Sequence, residues 1–215
     1  MLSHLATHLY GAPLLIHRPK LDTILGVLGQ RIGLKSGTDQ RLPLAVPSED
    51  QDIEDQAPGI AVIPVCGTLV KRTMGLEAQS GLVSYAAIAA QIASAVADPS
   101  VQAILLDIDS SGGESGGVFD LADAIYQCRG TKPIWAVAND SCFSAAYAIA
   151  SAADKVFVTR TGGVGSIGVI ALHVDQSLAD ASDGLNYTAI CAGARKNDLS
   201  PHTPLADGAR AALQV

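Results

Sequence analysis

Five short segments hold the residues with the most chemical potential. The first is Asp109-Ser110-Ser111-Gly112-Gly113, which ends an apolar run. Paired glycines let a backbone turn sharply and expose bare N–H groups. Such groups can hold a developing oxyanion, although an ordinary strand-to-helix turn has the same pattern. The second is Asn139-Asp140-Ser141-Cys142-Phe143-Ser144-Ala145-Ala146-Tyr147. Ser144 opens an Ala-rich helical stretch, where its hydroxyl would lie near the positive end of the helix dipole and a nascent anion is favoured. Ser144 or Ser141 also reads as a plain helix cap. Ala145 and Ala146 leave room for a substrate backbone. No G-x-S-x-G elbow is present, which disfavours an α/β-hydrolase.

A hydroxyl nucleophile needs a base, and a lysine serves once burial lowers its pKa. Lys196, in Ala192-Gly193-Ala194-Arg195-Lys196-Asn197-Asp198, follows an apolar run and is the candidate. It also reads as a solvated surface lysine. His173, in Ala171-Leu172-His173-Val174-Asp175, is the rival base and also reads as a structural strand histidine. The fifth segment, Thr161-Gly162-Gly163-Val164-Gly165-Ser166-Ile167-Gly168, lacks the Gly-Lys-Ser/Thr ending of a phosphate loop. An apolar strand pattern follows it, so close backbone packing beside a site suits it better than nucleotide binding.

The elements that must position these residues alternate between two periods. Apolar runs at 60–65, 101–108, 133–138, 155–159, 167–174 and 185–192 predict strands. Tyr85, Ile88, Ile92 and Val96 mark one helix face, and Val118, Leu121, Ile125 and Cys128 another. Residues 145–153 predict a third helix. The βαβα order predicts an α/β domain with a mainly parallel sheet flanked by helices. Ahead of it, Leu21, Ile24, Leu25, Val27, Leu28 and Ile32 predict a small helical N-terminal segment over 1–35. Residues 36–58 are polar, proline-containing and acidic, and read as a linker or loop. The domain then runs over 59–215. It stops at 207–215 in what reads as the first turns of a helix without a stop signal, so the natural protein is expected to continue.

Composition excludes several classes. A chain of 215 residues with 48% hydrophobic and 16% charged residues can bury one core. Aromatics are only 4%, so small and branched side chains must fill it, which suits parallel strands under helices. The net charge of −7 argues against a nucleic-acid or anionic-membrane partner. Cys66, Cys128, Cys142 and Cys191 form no CxxC pair and no zinc-spaced cluster, and read as buried thiols in a reducing compartment. No apolar stretch approaches a membrane span. His4, His8 and Tyr10 interrupt the N-terminal apolar residues, so no signal peptide is expected. A cytoplasmic location follows.

Taken together in order, Asp109-Ser110-Ser111-Gly112-Gly113, Ser144-Ala145-Ala146-Tyr147, Ala152-Ala153-Asp154-Lys155, Gly165-Ser166-Ile167-Gly168-Val169 and Lys196-Asn197-Asp198 resemble the S49 peptidases. These are the signal peptide peptidase A type enzymes and their phage relatives, with a ClpP/crotonase-like fold. The likeness covers roughly residues 59–205. It implies Ser144 as nucleophile and Lys196 as general base. It implies oxyanion amides from Gly112, Gly113 and Ala145, and Ser166 as an orienting partner for the lysine amine. No metal or cofactor is implied. The chain departs from the commoner Ser-Gly-Gly at the nucleophile and from Ser-Pro-Gly-Gly at the turn, and neither departure removes a catalytic group.

Tyr10-Gly11-Ala12-Pro13, Leu21-Asp22-Thr23-Ile24 and Ile63-Pro64-Val65-Cys66-Gly67-Thr68-Leu69 resemble the phage head-maturation proteases of that family. This implies protein substrates such as scaffold and other head proteins, a procapsid setting in the host cytoplasm, and a homo-oligomer. The competing expectations are a cytoplasmic signal-peptide-peptidase-like enzyme, a crotonase-type acyl-CoA enzyme, and an inactive structural head protein.

Overall fold

The computed structural model describes residues 13–31, 58–72 and 81–214. The linker expected over 36–58 lies outside the described residues except for Pro58, as do residues 1–12 and 32–35 of the N-terminal segment. Two compact units are present, Leu14–Ile170 and a smaller one that includes residues from Ala171 onward.

The larger unit carries two sheets. In the first, β2 (Ile60–Cys66), β5 (Ala103–Ser110), β7 (Ile134–Phe143) and β8 (Lys155–Val158) lie in that order and all pair in parallel, and β9 (Gly163–Gly165) pairs with the end of β7. In the second, β1 (Pro13–Ile16), β6 (Gly112–Glu114), β3 (Thr68–Val70) and β4 (Leu82–Ser84) are neighbours in that order. There β1 pairs antiparallel with β6, whereas β3 pairs in parallel with both β6 and β4. The α/β class with mainly parallel pairing is therefore as expected, although the strands divide between two sheets.

Two strands switch sheet side by side. β2 becomes β3 at Gly67, and its neighbour β5 becomes β6 after Ser110 and Ser111. The candidate oxyanion turn is thus a corner where parallel neighbours leave one sheet together and enter the other.

Helices α2 (Tyr85–Ala97), α3 (Val118–Cys128) and α4 (Ala145–Ser151) pack on this framework, and α1 (Arg18–Arg31) follows β1. The predicted helical faces are the buried ones: Tyr85, Ile88, Ile92 and Ala95 on α2, and Val118, Leu121 and Ile125 on α3. Ser84 caps α2 by accepting the Ala87 N–H at 3.1 Å. These helices meet Ile104, Leu106 and Ile108 of β5 and Ile134, Ala136 and Ala138 of β7 in one core. Alanine on β7 and α4 brings helix and strand close together, which is why so few aromatics suffice. Leu14, Leu15 and Ile16 of β1 and Leu21 of α1 are buried too. Nothing in the sequence marked β1 as a strand.

The smaller unit holds α5 (Ser177–Ser182) and α6 (Asp207–Leu213). The strand expected over 185–192 is absent, and Ile190 is 97% exposed. A strand needs a ladder partner. Among its described residues this unit has no sheet, apart from Ala171 at the end of β10 (Ile170–Ala171). Of the strand expected over 167–174 only β10 forms. Ser166 at φ 54° and Gly168 at φ 136° break the extended backbone ahead of it.

Candidate active site

Ser144 is delivered by an irregularity in β7. Ile108 pairs with Ala138, but two residues later Ser110 pairs with Cys142. β7 therefore carries two extra residues there, a bulge of the kind that re-aims side chains. The Asp109 carboxylate holds the bulge by accepting the Ser141 N–H at 3.2 Å. Phe143 then pairs with Gly165 of β9, and α4 begins at Ala145.

The backbone of Ser144 sits at φ 57°, ψ −114°, a region that side-chain-bearing residues rarely adopt. Its N–H donates to the Gly165 carbonyl at 2.8 Å, and its carbonyl accepts the Ala148 N–H at 3.0 Å. The hydroxyl does not cap α4. Oγ is buried and has no hydrogen-bond partner among the described residues. An orphaned buried hydroxyl costs about 1–3 kcal/mol, and such a backbone conformation a similar amount. Two penalties fall on one serine, so the helix-cap reading fails.

Both ends of α4 are fixed. Ala145, Ala146, Ile149 and Ala150 are buried. At the far end Arg129 donates from Nε to the Ala152 carbonyl at 2.8 Å and from Nη2 to the carbonyls of Ser151 (3.2 Å) and Ala153. Its guanidinium also lies 3.9 Å from Asp154, whose other oxygen accepts the Ile134 N–H. Cys142 of β7 is fully buried. Burial pushes the thiol of Cys142, two residues before Ser144, up to about 12.

The Gly112-Gly113 turn lies against this serine. A Cβ on Gly112 would stand 2.3 Å from the Leu15 carbonyl oxygen, 2.9 Å from that of Phe143 and 3.0 Å from the Ala145 nitrogen. The last two atoms belong to the peptides on either side of Ser144. A Cβ on Gly113 would fall 1.8 Å from the Leu69 oxygen. Both glycines are thus required by close backbone approach. The Gly112 N–H donates to Ser110 Oγ at 3.1 Å, and Ser110 Oγ donates to the Gly67 carbonyl at 2.6 Å. Ala145 is the first residue of α4, and its N–H has no acceptor within the helix.

Two residues outside the expected set brace the same place. His17 stacks on Phe143 with ring centroids 4.4 Å apart, and its N–H donates to the Ser111 carbonyl at 2.8 Å. Ser110 was legible as a turn former, because a serine two residues before a glycine can accept that glycine's N–H. No sequence signal singled out His17.

The remaining candidates divide between the units. Ser166 is exposed and follows β9, whose last residue accepts the Ser144 N–H. Lys196 is exposed in the smaller unit, and its N–H donates to the Gly193 carbonyl at 3.3 Å. Beside it Arg195 pairs with Asp198 at 2.9 Å and donates to the Gly208 carbonyl at 3.0 Å. His173, also in the smaller unit, places Nε2 3.0 Å from the Ser200 carbonyl.

Residues 127–215 match the model of Peptidase family S49. That segment belongs to the family. The S49 segment contains Ser144, Ser166, His173 and Lys196, and the Gly112-Gly113 corner precedes it. The chain is 38% identical over 229 residues to the capsid assembly protease C of Escherichia phage lambda, covering 99% of this chain and 52% of that protein. It is also 38% identical over 221 residues to the head-tail preconnector protein GP5 of Enterobacteria phage P21, covering 92% and 42%. The chain thus spans about half the length of these curated relatives. A solved enoyl-CoA hydratase/isomerase family member overlaps 61% of this chain and 52% of its own at 18% identity, with a TM-score of 0.39. No described helix is long and apolar enough to cross a membrane.

Proposed function

We propose that this chain is the peptidase portion of a phage head-maturation protease, a serine endopeptidase with a Ser144–Lys196 dyad. The observation that carries the reading is the strained, buried and unpartnered hydroxyl of Ser144 beside a two-glycine corner. The S49 match and the likeness to a capsid assembly protease support it.

In this reading neutral Lys196 takes the Ser144 proton as Oγ attacks a peptide carbonyl. The carbonyl oxygen becomes an oxyanion held by backbone amides. The Gly112 N–H is already donated to Ser110 Oγ, so Gly113 and Ala145 supply the amides and Gly112 shapes the turn. Lys196 returns the proton to the leaving amine, and water then hydrolyses the acyl-enzyme on Ser144. Ser166, beside the Ser144 peptide, orients the amine. No step uses a metal or cofactor. The substrates are scaffold or other head proteins inside the assembling procapsid, and the enzyme works as a homo-oligomer.

The test is co-expression of the chain with its scaffold protein. Ser144→Ala and Lys196→Ala should each abolish cleavage while the melting transition survives. Full activity in either variant refutes the dyad. An active Lys196→Ala beside a dead His173→Ala transfers the base role to His173.

A further inference from the structure

Ser110 is 2% exposed, and its hydroxyl is used twice. It donates to the Gly67 carbonyl at 2.6 Å and accepts the Gly112 N–H at 3.1 Å. Gly67 and Gly112 are the residues at which β2 and β5 change sheet, and both have positive φ, 93° and 92°. The two corners share a second tie, the Gly67 N–H donating to the Asp109 carbonyl at 2.9 Å. That tie fixes Gly67 to the end of β5. The Ser110 hydroxyl alone among these bonds reaches past the end of β5 to Gly112. Gly112 in turn abuts the peptides flanking Ser144.

We infer that Ser110 is a positioning residue for the reaction: its hydroxyl sets where the Gly112-Gly113 amides stand relative to Ser144. The inference rests on Ser144 being the nucleophile. It assigns Ser110 no contact with substrate. The hydroxyl directs the Gly112 N–H into the corner, which turns the following peptide toward the serine. Without it the Gly112 N–H must find a new acceptor, and the turn can rotate. Misplacement of a reacting partner by about 1 Å can lower a rate by on the order of 100-fold.

The experiment follows inactivation of the full chain by a fluorophosphonate, whose phosphonyl oxygen develops charge as a peptide oxyanion does. Wild type, Ser110→Ala, Ser110→Thr, Ser110→Val and Ser144→Ala are compared for maximal labelling rate, half-saturating concentration and melting temperature. Ser110→Thr and Ser110→Val have nearly the same shape and differ in the hydroxyl, so the comparison survives if Ser110→Ala fails to fold. The expected result is a maximal rate lowered roughly 10- to 100-fold in Ser110→Ala and Ser110→Val. Half-saturation should stay within about twofold, and Ser110→Thr should recover most of the rate. Equal rates in Ser110→Thr and Ser110→Val, with labelling still lost in Ser144→Ala, overturn the positioning role alone. Persistent labelling of Ser144→Ala overturns the nucleophile assignment, and the Ser110 inference falls with it.

Discussion

Replacing Gly112 by alanine should damage the site and the fold together, and the structure gives the size of each effect. The residue sits at φ 92°, which an L side chain adopts at a cost of roughly 1–2 kcal/mol. The new Cβ would stand 2.3 Å from the Leu15 oxygen, whereas an ordinary C···O contact is about 3.3–3.6 Å. A shift of about 1 Å is needed. The Phe143 oxygen at 2.9 Å and the Ala145 nitrogen at 3.0 Å limit retreat on the other side. Such overpacking adds about 1–3 kcal/mol. In a chain of this size each kcal/mol lowers Tm by about 2–4 °C, so Gly112→Ala should melt on the order of 10 °C early. Its fluorophosphonate labelling should slow by on the order of 100-fold, since the displaced backbone flanks Ser144. Scanning fluorimetry and labelling kinetics measure the two effects. Gly116→Ala is the control: Gly116 is exposed and its Cβ would meet nothing within 4 Å. It should change stability by less than about 0.5 kcal/mol. A Gly112→Ala variant that melts and labels like wild type refutes the reasoning.

Three further outcomes are expected. Ser144→Gly should abolish labelling yet raise Tm, because it relieves a positive φ and removes an orphaned hydroxyl. A gain of about 1–3 kcal/mol is anticipated, and a drop in Tm would contradict the assigned strain. Arg129→Ala removes the donors that hold the last carbonyls of α4, and should lower stability by about 1–2 kcal/mol in urea titration. Arg129→Lys should recover only part, since an ammonium lacks the planar fork, and full recovery would show that the fork is dispensable. Alkaline pH should weaken the fold through Cys142 and Tyr85. Burial raises the Cys142 thiol from 9.0 to about 12, and burial followed by the Glu114 carboxylate raises the Tyr85 phenol above its ordinary 10.0. Both groups stay neutral in the folded state while the unfolded chain ionises first. Their stabilisation is therefore complete below pH 9 and is lost as pH rises toward 12 and beyond. The urea midpoint should fall between pH 8 and 11, and Cys142→Ala should flatten that fall; an unchanged slope would exclude the thiol.

How far the site was legible depended on what each residue must touch. Strands β2, β5 and β7 and helices α2, α3 and α4 announce themselves in the sequence, because each buries side chains in the same core; β8 was legible only as an apolar run, and its side chains are exposed. The run 185–192 is as apolar as they are but forms no strand. Periodicity reports a wish to be buried, and only a neighbouring strand can satisfy the backbone. β1 failed in the opposite sense. Four residues give too short a pattern to read, and they pair with Gly112–Glu114, far along the chain. The glycines of the corner were visible as glycines. The reason for them, the Leu69 and Leu15 oxygens occupying the places of their Cβ atoms, exists only once β1 and β3 are assembled.

The same distinction explains why Ser144 looked ordinary in isolation. Its local sequence is that of a capping serine, and caps are recognised by a side chain satisfying an early helical N–H. Here the strand geometry prevents that. The two-residue bulge at Asn139–Ser141 brings the chain onto Gly165, whose carbonyl takes the Ser144 N–H and holds φ positive. From that conformation Oγ reaches no amide of α4 and is left buried without a partner. A cap would gain about 1 kcal/mol from the serine, whereas this arrangement loses about that much or more. The surrounding framework sustains the loss: a buried α4, an arginine closing its far end, and a braced pair of strand corners. A purely structural serine would be under no such constraint. The balance of these terms is what separates a serine that finishes a helix from one held ready to react.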